Sequence, residues 1–135
     1  MKNLLNIGFF TLLAGFFFVS CNDDDDYETI QSVDKVKIDS VSIVNDTMSV
    51  FEVQSIRTYS KYTPVCEGFY GYDYVHTSDF DRDVTSYKFK TNANCGTGEV
   101  RRANQINFAP KAAGTYNFKF WNGDNNWITK TIVVQ

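Results

Sequence analysis

The sequence predicts an all-β protein, built as an antiparallel sandwich of about seven strands. Short runs rich in β-branched and aromatic residues recur between turn signals across residues 34–135. Phe, Trp and Tyr make up 16% of the chain, and many lie after residue 50, so these runs carry the side chains of a core. No stretch beyond the N-terminal segment repeats apolar residues with a helical period over a useful length.

The segment 1–20 has the pattern of a secretory signal peptide. Lys2 is the single charge before Cys21, and an apolar block follows it. The block is shorter than the roughly 20 apolar residues that a spanning helix needs. It is also interrupted at Asn6, Gly8, Thr11 and Gly15. We therefore expect residues 1–20 to be removed on export, with an uncleaved anchor helix as the alternative.

The four residues that end at Cys21 resemble the lipobox of bacterial lipoproteins. They read Phe18-Val19-Ser20-Cys21, with an accepted small residue before the cysteine and Phe where family members usually carry Leu. The resemblance implies cleavage before Cys21 and attachment of lipid to its sulfur. Acyl chains, each gaining about 0.8 kcal/mol per buried methylene, then hold the chain on a membrane without a spanning helix. An ordinary thiol behind a simple signal peptide is the alternative.

An acidic run, Asp23, Asp24, Asp25 and Asp26, comes shortly after this cysteine. Like charges repel, so the run should keep residues 21–33 extended and solvated as a tether. It also resembles the export tag of surface-exposed lipoproteins in some Gram-negative bacteria. That resemblance implies an outer-membrane lipoprotein whose domain, residues 34–135, faces the outside. A plain spacer is the alternative, and a tag would also act as a spacer.

The charge of the chain argues against nucleic acid as a partner. The formal net charge is −3 at pH 7, and removal of residues 1–20 takes away one lysine and no acid. Basic residues are scattered, with Arg101-Arg102 as the one adjacent pair in the predicted domain. Binding to a phosphate backbone needs a basic face, which this distribution does not predict.

Two further cysteines, Cys66 and Cys95, lie in the predicted domain. An exported chain meets oxidising conditions, so the pair predicts one disulfide. Metal binding is the alternative, which the single histidine and the wide spacing of the cysteines disfavour.

Seven runs along the domain have strand composition. The first, KVKIDSVSIV, places Val36 and Ile38 in one phase of the alternation and Val41 and Ile43 in the other. That slip in phase predicts a bulge or a kink. The runs cover residues 35–44, 49–62, 68–75, 84–90, 104–108, 115–121 and 127–134.

This spacing of short strands is typical of an immunoglobulin-like sandwich. The segment PKAAGTYNFKF places Gly114 before Tyr116 at a strand start, and it resembles the tyrosine corner of those domains, in which the hydroxyl bonds back to the corner. The segment AGTYNFKFWNGDNNWITKTIVV resembles the last hairpin of Ig-like domains of bacterial lipoproteins. The resemblance covers residues 34–135 loosely and 110–134 best, without the inward Cys-Trp-Cys arrangement of antibody domains. It implies an architecture and leaves the function open.

The last predicted hairpin carries Trp121 and Trp127 on either side of the loop NGDNN. If Tyr116, Phe118 and Phe120 form the core face, alternation turns Trp121 outward. A symmetric loop then pairs the tryptophans outside, as a platform for sugar rings or a protein hot spot. The alternative is a cross-strand pair that only clamps the hairpin. A slip of one residue in the register would reverse the faces.

The run FYGYDYV places Tyr70, Tyr72 and Tyr74 on one strand face by simple alternation. Tyrosines on a solvent face are common at binding surfaces, so these three are candidate binding residues. Tyrosine is also an ordinary strand former, and a purely structural role is the alternative.

The segment after these tyrosines offers little chemistry. Asp79, Asp81 and Asp83 have the spacing that begins an EF-hand, but the glycine and the bidentate glutamate of that loop are missing. His76 is the single histidine, and neither a nucleophile motif nor a Gly-rich phosphate loop accompanies it. The sequence therefore predicts a solvated turn here, with no metal, no cofactor and no enzyme activity, and a looser calcium site at Asp79 to Asp83 is the alternative.

These features together predict a non-catalytic binding or scaffold module of the cell envelope. Lipid would hold it on the outer membrane, and a protein or a glycan would be its partner. The alternative is a periplasm-facing inhibitor or chaperone-like lipoprotein that acts on an envelope enzyme. The loop NGDNN or the loop around Cys66 would then be the inserted element.

Overall fold

Nine β-strands make up the regular structure of residues 27–135, the part of the chain that this computed structural model describes. The predicted all-β sandwich is confirmed: β-branched and aromatic runs form the strands, because their side chains pack well on a pleated, half-buried surface. The strands are β1 Ile30–Val36, β2 Ser40–Ile43, β3 Thr47–Met48, β4 Gln54–Tyr62, β5 Glu67–His76, β6 Asp81–Thr91, β7 Val100–Phe108, β8 Gly114–Trp121 and β9 Trp127–Val134.

Six strands form the larger sheet, in the order β1-β6-β8-β9-β3, with β5 also paired to β6. Residues 86–91 of β6 pair with β1 and residues 81–84 pair with β8, so these two strands share one edge of β6. Strand β5 occupies the other edge. The pairs β6–β8 and β3–β9 are parallel, and the other pairs of the described strands follow the predicted antiparallel arrangement.

The smaller sheet has three strands in the order β2-β4-β7, all antiparallel. Strands β4 and β7 pair along their whole length, from Gln54 opposite Phe108 to Tyr62 opposite Val100. Every second side chain of β4 is buried from Ile56 onward, which is the period expected of a strand with one face on a core.

The core lies between the two sheets. Its buried side chains come from both of them: Ile38, Met48, Ile56, Val84, Phe108, Tyr116, Phe118, Phe120, Ile132 and Val134. The ring of Phe118 lies 5.0 Å from that of Phe108 across the sheets and stacks on Phe120 at 6.1 Å. The predicted core face of Tyr116, Phe118 and Phe120 is thus the face that is buried.

The slip in phase within residues 35–44 marks the point where the chain crosses from one sheet to the other. Strand β1 belongs to the larger sheet and β2 to the smaller one. Between them the Ile38 amide donates to the Trp121 carbonyl at 3.0 Å, and the Asp39 amide donates to the Tyr59 carbonyl at 2.8 Å. Sheet pairing begins earlier than the sequence predicts, since residues 30–33 of the expected tether already pair with β6.

The predicted disulfide between Cys66 and Cys95 is present. It joins two connections that cross between the sheets at the same end of the sandwich, residues 63–66 before β5 and residues 92–99 after β6. Backbone hydrogen bonds reinforce it, from the Thr91 amide to the Cys66 carbonyl and from the Gly96 amide to the Pro64 carbonyl, both 2.8 Å. The disulfide therefore braces the two connections beside the paired strands β5 and β6 at this end of the sandwich.

The segment 1–26 lies outside the described residues. The signal peptide, lipidation of Cys21 and the export tag at Asp23 to Asp26 therefore stay predictions. Within residues 27–135, no helix has the length and apolar character to cross a membrane.

Replacing Cys66 and Cys95 together by alanine should lower the free energy of unfolding by about 3–4 kcal/mol, the loop-closure entropy expected when a cross-link between residues 29 apart is lost. Urea titration followed by circular dichroism measures the change. Wild-type protein in reducing agent is the matched control and should unfold at the same urea concentration as the variant. A variant as stable as the oxidised wild type would show that the link contributes nothing.

Candidate functional site

A groove of about 700 Å³ opens where β5 ends the larger sheet and β7 ends the smaller one. Small-molecule sites typically enclose roughly 300–1,000 Å³, with mostly apolar walls and a few polar groups. The lining residues are Tyr72, Tyr74, His76, Arg82, Gln105, Ile106, Asn107, Phe108, Ala109, Pro110, Lys111, Ala112 and Tyr116. Four aromatic rings and several hydrogen-bonding groups therefore face one concave surface.

Tyr72 and Tyr74 project from β5 towards the smaller sheet. The hydroxyl of Tyr72 shares a hydrogen bond of 2.6 Å with the hydroxyl of Thr58, which ties the edge strand to β4. Burial raises the pKa of Tyr72 to about 12. Burial also raises the pKa of Tyr74, whose ring lies 6.5 Å from that of Phe118, although the charge of Arg82 acts in the opposite direction. Both phenols therefore stay protonated at neutral pH.

Tyr116 forms the inner end of the groove. Its hydroxyl donates to the Ala112 carbonyl at 2.9 Å, so the backward hydrogen bond predicted from PKAAGTYNFKF is present. The ring is held edge-on by Phe80 at 5.1 Å and by Phe108 at 5.0 Å. Gly114 is required in this corner, because a side chain there would collide with the ring of Phe80.

Arg82 is the buried cation of the groove, with only 6% of its surface exposed. Its Nη1 donates to the carbonyls of Ser78 and Asp81, both at 2.9 Å, and its Nη2 donates to the carbonyl of Asp79 at 3.0 Å. The guanidinium lies 5.5 Å from the centre of the Tyr116 ring. Within residues 27–135, Nε has no hydrogen-bond partner and no carboxylate forms an ion pair with Arg82.

The side chain of Asp81 helps to close the turn that leads into β6. Asp81 accepts hydrogen bonds from the Ser78 hydroxyl at 2.7 Å and from the Asn117 amide at 3.1 Å. These two bonds lower the pKa of Asp81. Across residues 27–135, no three His, Cys, Asp or Glu side chains come together in a way that could hold a metal ion.

His76 lies at the exposed rim of the groove, with its ring 5.5 Å from that of Tyr74. Among the described residues, the lining supplies no Ser, Thr, Cys, Asp or Glu beside it. The groove thus presents hydrogen-bond donors and aromatic side chains, and its described lining pairs no nucleophile with the imidazole.

The predicted common face of Tyr70, Tyr72 and Tyr74 is wrong. The pairing of β5 with β6 shifts between Phe69 and Gly71, so Tyr70 sits in a bulge and is 58% exposed. A bulge adds one residue to a strand and so breaks the alternation of faces. Tyr72 and Tyr74 line the groove, whereas Tyr70 borders a separate shallow recess.

Trp121 and Trp127 lie directly opposite each other in the β8–β9 pair, on the face away from the core. Trp127 is 42% exposed. Trp121 is half-buried: its Nε1 donates to the Asp124 carbonyl at 2.9 Å, and the Lys35 ammonium lies 5.6 Å from its ring. The Trp121 indole is therefore held in place, whereas the Trp127 indole is exposed to solvent. Ligand binding by the pair stays a prediction.

Sequence reasoning missed Arg82, Phe108 and the amides of β7 as members of a site. A signal for Arg82 was present, since it shares the inward phase of β6 with Val84 and Ser86, which are fully buried. A cationic residue at a strand position that alternates with the core residues indicates a buried charge. Nothing in the sequence signals that β7 comes to lie near β5, because that contact depends on the order of strands in two sheets.

No family model matches the chain, and neither a curated protein nor a solved structure matches it. The chemistry of the groove is therefore argued from its own residues.

Folding stability should fall as the pH rises from 10 towards 12, and Tyr72→Phe should make that fall shallower. The pKa of Tyr72 is raised from 10.0 to about 12 in the folded protein. The folding stability that depends on the protonated phenol is therefore complete below pH 10 and is lost as the pH rises through the folded pKa. Urea midpoints across this range measure it. Tyr70→Phe, at an exposed position, should keep the wild-type slope. An unchanged slope in Tyr72→Phe would contradict the assignment.

Proposed function

We propose that this chain is a lipid-anchored binding module of the cell envelope, exposed on the outer surface, that binds a protein or glycan partner and does not catalyse a reaction. The resemblance of residues 18–21 to a lipobox supports the anchor, and the acidic run 23–26 supports the surface location. An Ig-like classification is part of the same proposal. The packed sheets and the backward bond of Tyr116 support it, whereas the parallel pair β6–β8 departs from it.

The groove between β5 and β7 is the observation that carries the binding role. Aromatic side chains supply contact area at low cost in conformational entropy, and the Tyr74 hydroxyl and the Lys111 ammonium supply hydrogen-bond donors. The walls are also held rigidly in advance, by the hydrogen bonds of Tyr72 and Tyr116 and by the ring contacts of Phe108. A preorganised site keeps more of its contact energy as affinity.

A periplasm-facing inhibitor is the second candidate, and the loop around Cys66 supports it. Val65 is 64% exposed and has a positive φ of 72°, which a β-branched residue adopts only where its surroundings hold it. The disulfide braces this loop on one side. A rigid loop with a protruding apolar side chain is suited to enter the cleft of an enzyme.

Changing Asp23 to Asp26 into asparagine should protect the domain from protease added to intact cells, while the wild-type domain is digested. The expected reason is loss of the acidic export tag, which would leave the anchored chain facing the periplasm. Immunoblotting of shaved cells measures this, with a periplasmic protein as the control for cell integrity. Digestion of both forms would support the surface location and show that the acidic run is not the export tag. Protection of both would overturn the surface location and favour the inhibitor.

Trp127→Ala should weaken binding to a glycan about two- to tenfold while the domain stays folded. An aromatic contact is worth roughly 0.5–1.5 kcal/mol beyond its buried area, and loss of one cross-strand pair costs at most about 1 kcal/mol of stability. Affinity electrophoresis against a panel of soluble polysaccharides measures the binding. Thr129→Ala, exposed on the same outer face, is the matched control. Equal retardation of both variants and the wild type would remove the glycan platform.

A further inference from the structure

A shallow recess of about 380 Å³ lies on the outer face of the larger sheet, apart from the groove between β5 and β7. Val33, Tyr70 and Tyr87 border it. Tyr87 points outward, because its neighbour Ser86 is fully buried on the core side. At the floor lies Gly71, and no atom from elsewhere in the described chain comes within 4 Å of the point that its Cβ would occupy. Tyr70 is 58% and Val33 is 40% exposed, so the recess is open to solvent.

The recess is continuous with the tryptophan pair. Lys35 lies opposite Tyr87 in the pairing of β1 with β6, and its ammonium lies 5.6 Å from the centre of the Trp121 ring. Trp127 lies opposite Trp121 on the same outer face. One ring from each of β5, β6, β8 and β9 thus forms an aromatic row across the sheet: Tyr70, Tyr87, Trp121 and Trp127. Since neighbouring strands lie about 4.8 Å apart, the row crosses roughly 14 Å.

Charged side chains lie beside the aromatic row. Lys35 and Lys119 are cationic, and Asp73 and Asp83 are anionic. The pairing of their strands and the burial of every second residue in β6 place all four on the outer face. In the part of the chain that the structure describes, none of them forms an ion pair. Because the two signs balance, this face favours neither an anionic nor a cationic ligand.

This arrangement favours a glycan over a protein as the ligand. The core of a protein interface is depleted of charged residues, Lys and Asp among them. An uncharged sugar chain instead presents many hydroxyls, each of which both donates and accepts hydrogen bonds. Its hydroxyls would donate to the carboxylates of Asp73 and Asp83 and accept from the ammonium groups of Lys35 and Lys119. The aromatic faces would pack against the apolar faces of its rings.

We propose that the aromatic row binds an uncharged polysaccharide chain, which lies across the outer face from Trp127 to the recess at Gly71. This inference rests on the proposed binding function and names the class of its ligand. It extends the tryptophan pair by two further rings, Tyr87 and Tyr70. Each ring that the chain covers adds contact area, so a polysaccharide should bind more tightly than a single sugar unit.

Affinity electrophoresis of the full chain tests the ligand class. The gels contain dextran, galactomannan, xyloglucan or hydroxyethyl cellulose, all uncharged and soluble. At least one should retard the wild type, and the retardation should be the same at low and high salt, because salt screens only charge-driven binding. Retardation by none of the four would overturn the inference. Retardation that disappears at high salt would also overturn it.

Variants test whether the recess takes part. Tyr70→Ala should weaken binding about two- to tenfold, the effect expected for loss of one aromatic contact. Phe51→Ala, at an aromatic residue that is 73% exposed outside the aromatic row, is its matched control and should bind as the wild type does.

Gly71→Val fills the floor of the recess, where the open space accepts a side chain, and should also weaken binding. Its matched control is Ala103→Val, at an exposed position of β7 in the smaller sheet. The urea midpoint of each variant reports whether it folds. Wild-type retardation of a folded Tyr70→Ala or Gly71→Val protein would overturn the assignment.

This inference and the proposed function fail in different ways. Binding that Trp127→Ala weakens and that Tyr70→Ala and Gly71→Val leave unchanged would overturn the aromatic row and leave the tryptophan platform. Protection of the wild-type domain from protease on intact cells would overturn the surface location and leave the electrophoresis result unchanged.

Discussion

The inward face of β8 is the constraint on which the rest of the structure depends. Strand β8 pairs with β9 on one side and with β6 on the other, so it lies inside the larger sheet. Tyr116, Phe118 and Phe120 are buried in turn along it. Because side chains alternate strictly, burial of these three rings fixes the outward direction of Trp121. The same register places Ile132 and Val134 of β9 in the core.

The unequal size of the two sheets explains the groove. The smaller sheet has three strands and the larger has six, so β7 does not cover the whole inner face that β5 and β6 present. Tyr72 closes the middle of the gap by reaching Thr58. Beyond it, towards Tyr74 and Arg82, the gap stays open. The groove is thus a consequence of strand order, and a partly buried hydrogen bond between Tyr72 and Thr58 stabilises it at one side.

Local patterns of the sequence were enough for much of the fold. Alternation located the core face of β8, turn residues separated most strands, and the predicted export of the chain favoured a disulfide between Cys66 and Cys95. Features that depend on two strands at once were not accessible. The bulge at Tyr70 arises from the register of β5 against β6, and the crossing at residues 37–39 assigns β1 and β2 to different sheets. The groove depends on both sheets, so residues distant in sequence, such as Arg82 and Asn107, gave no common signal.

Arg82 shows how one buried side chain stabilises a turn and an aromatic cluster together. Its three bonds to the carbonyls of Ser78, Asp79 and Asp81 hold the turn that leads into β6. The same guanidinium lies 5.5 Å from the centre of the Tyr116 ring, at the inner end of the groove. A buried charge is costly unless polar groups compensate for it, and here backbone carbonyls of a single turn do so. The closure of the turn and the position of the Tyr116 ring therefore depend on one cation that the strand alternation of β6 directs into the core.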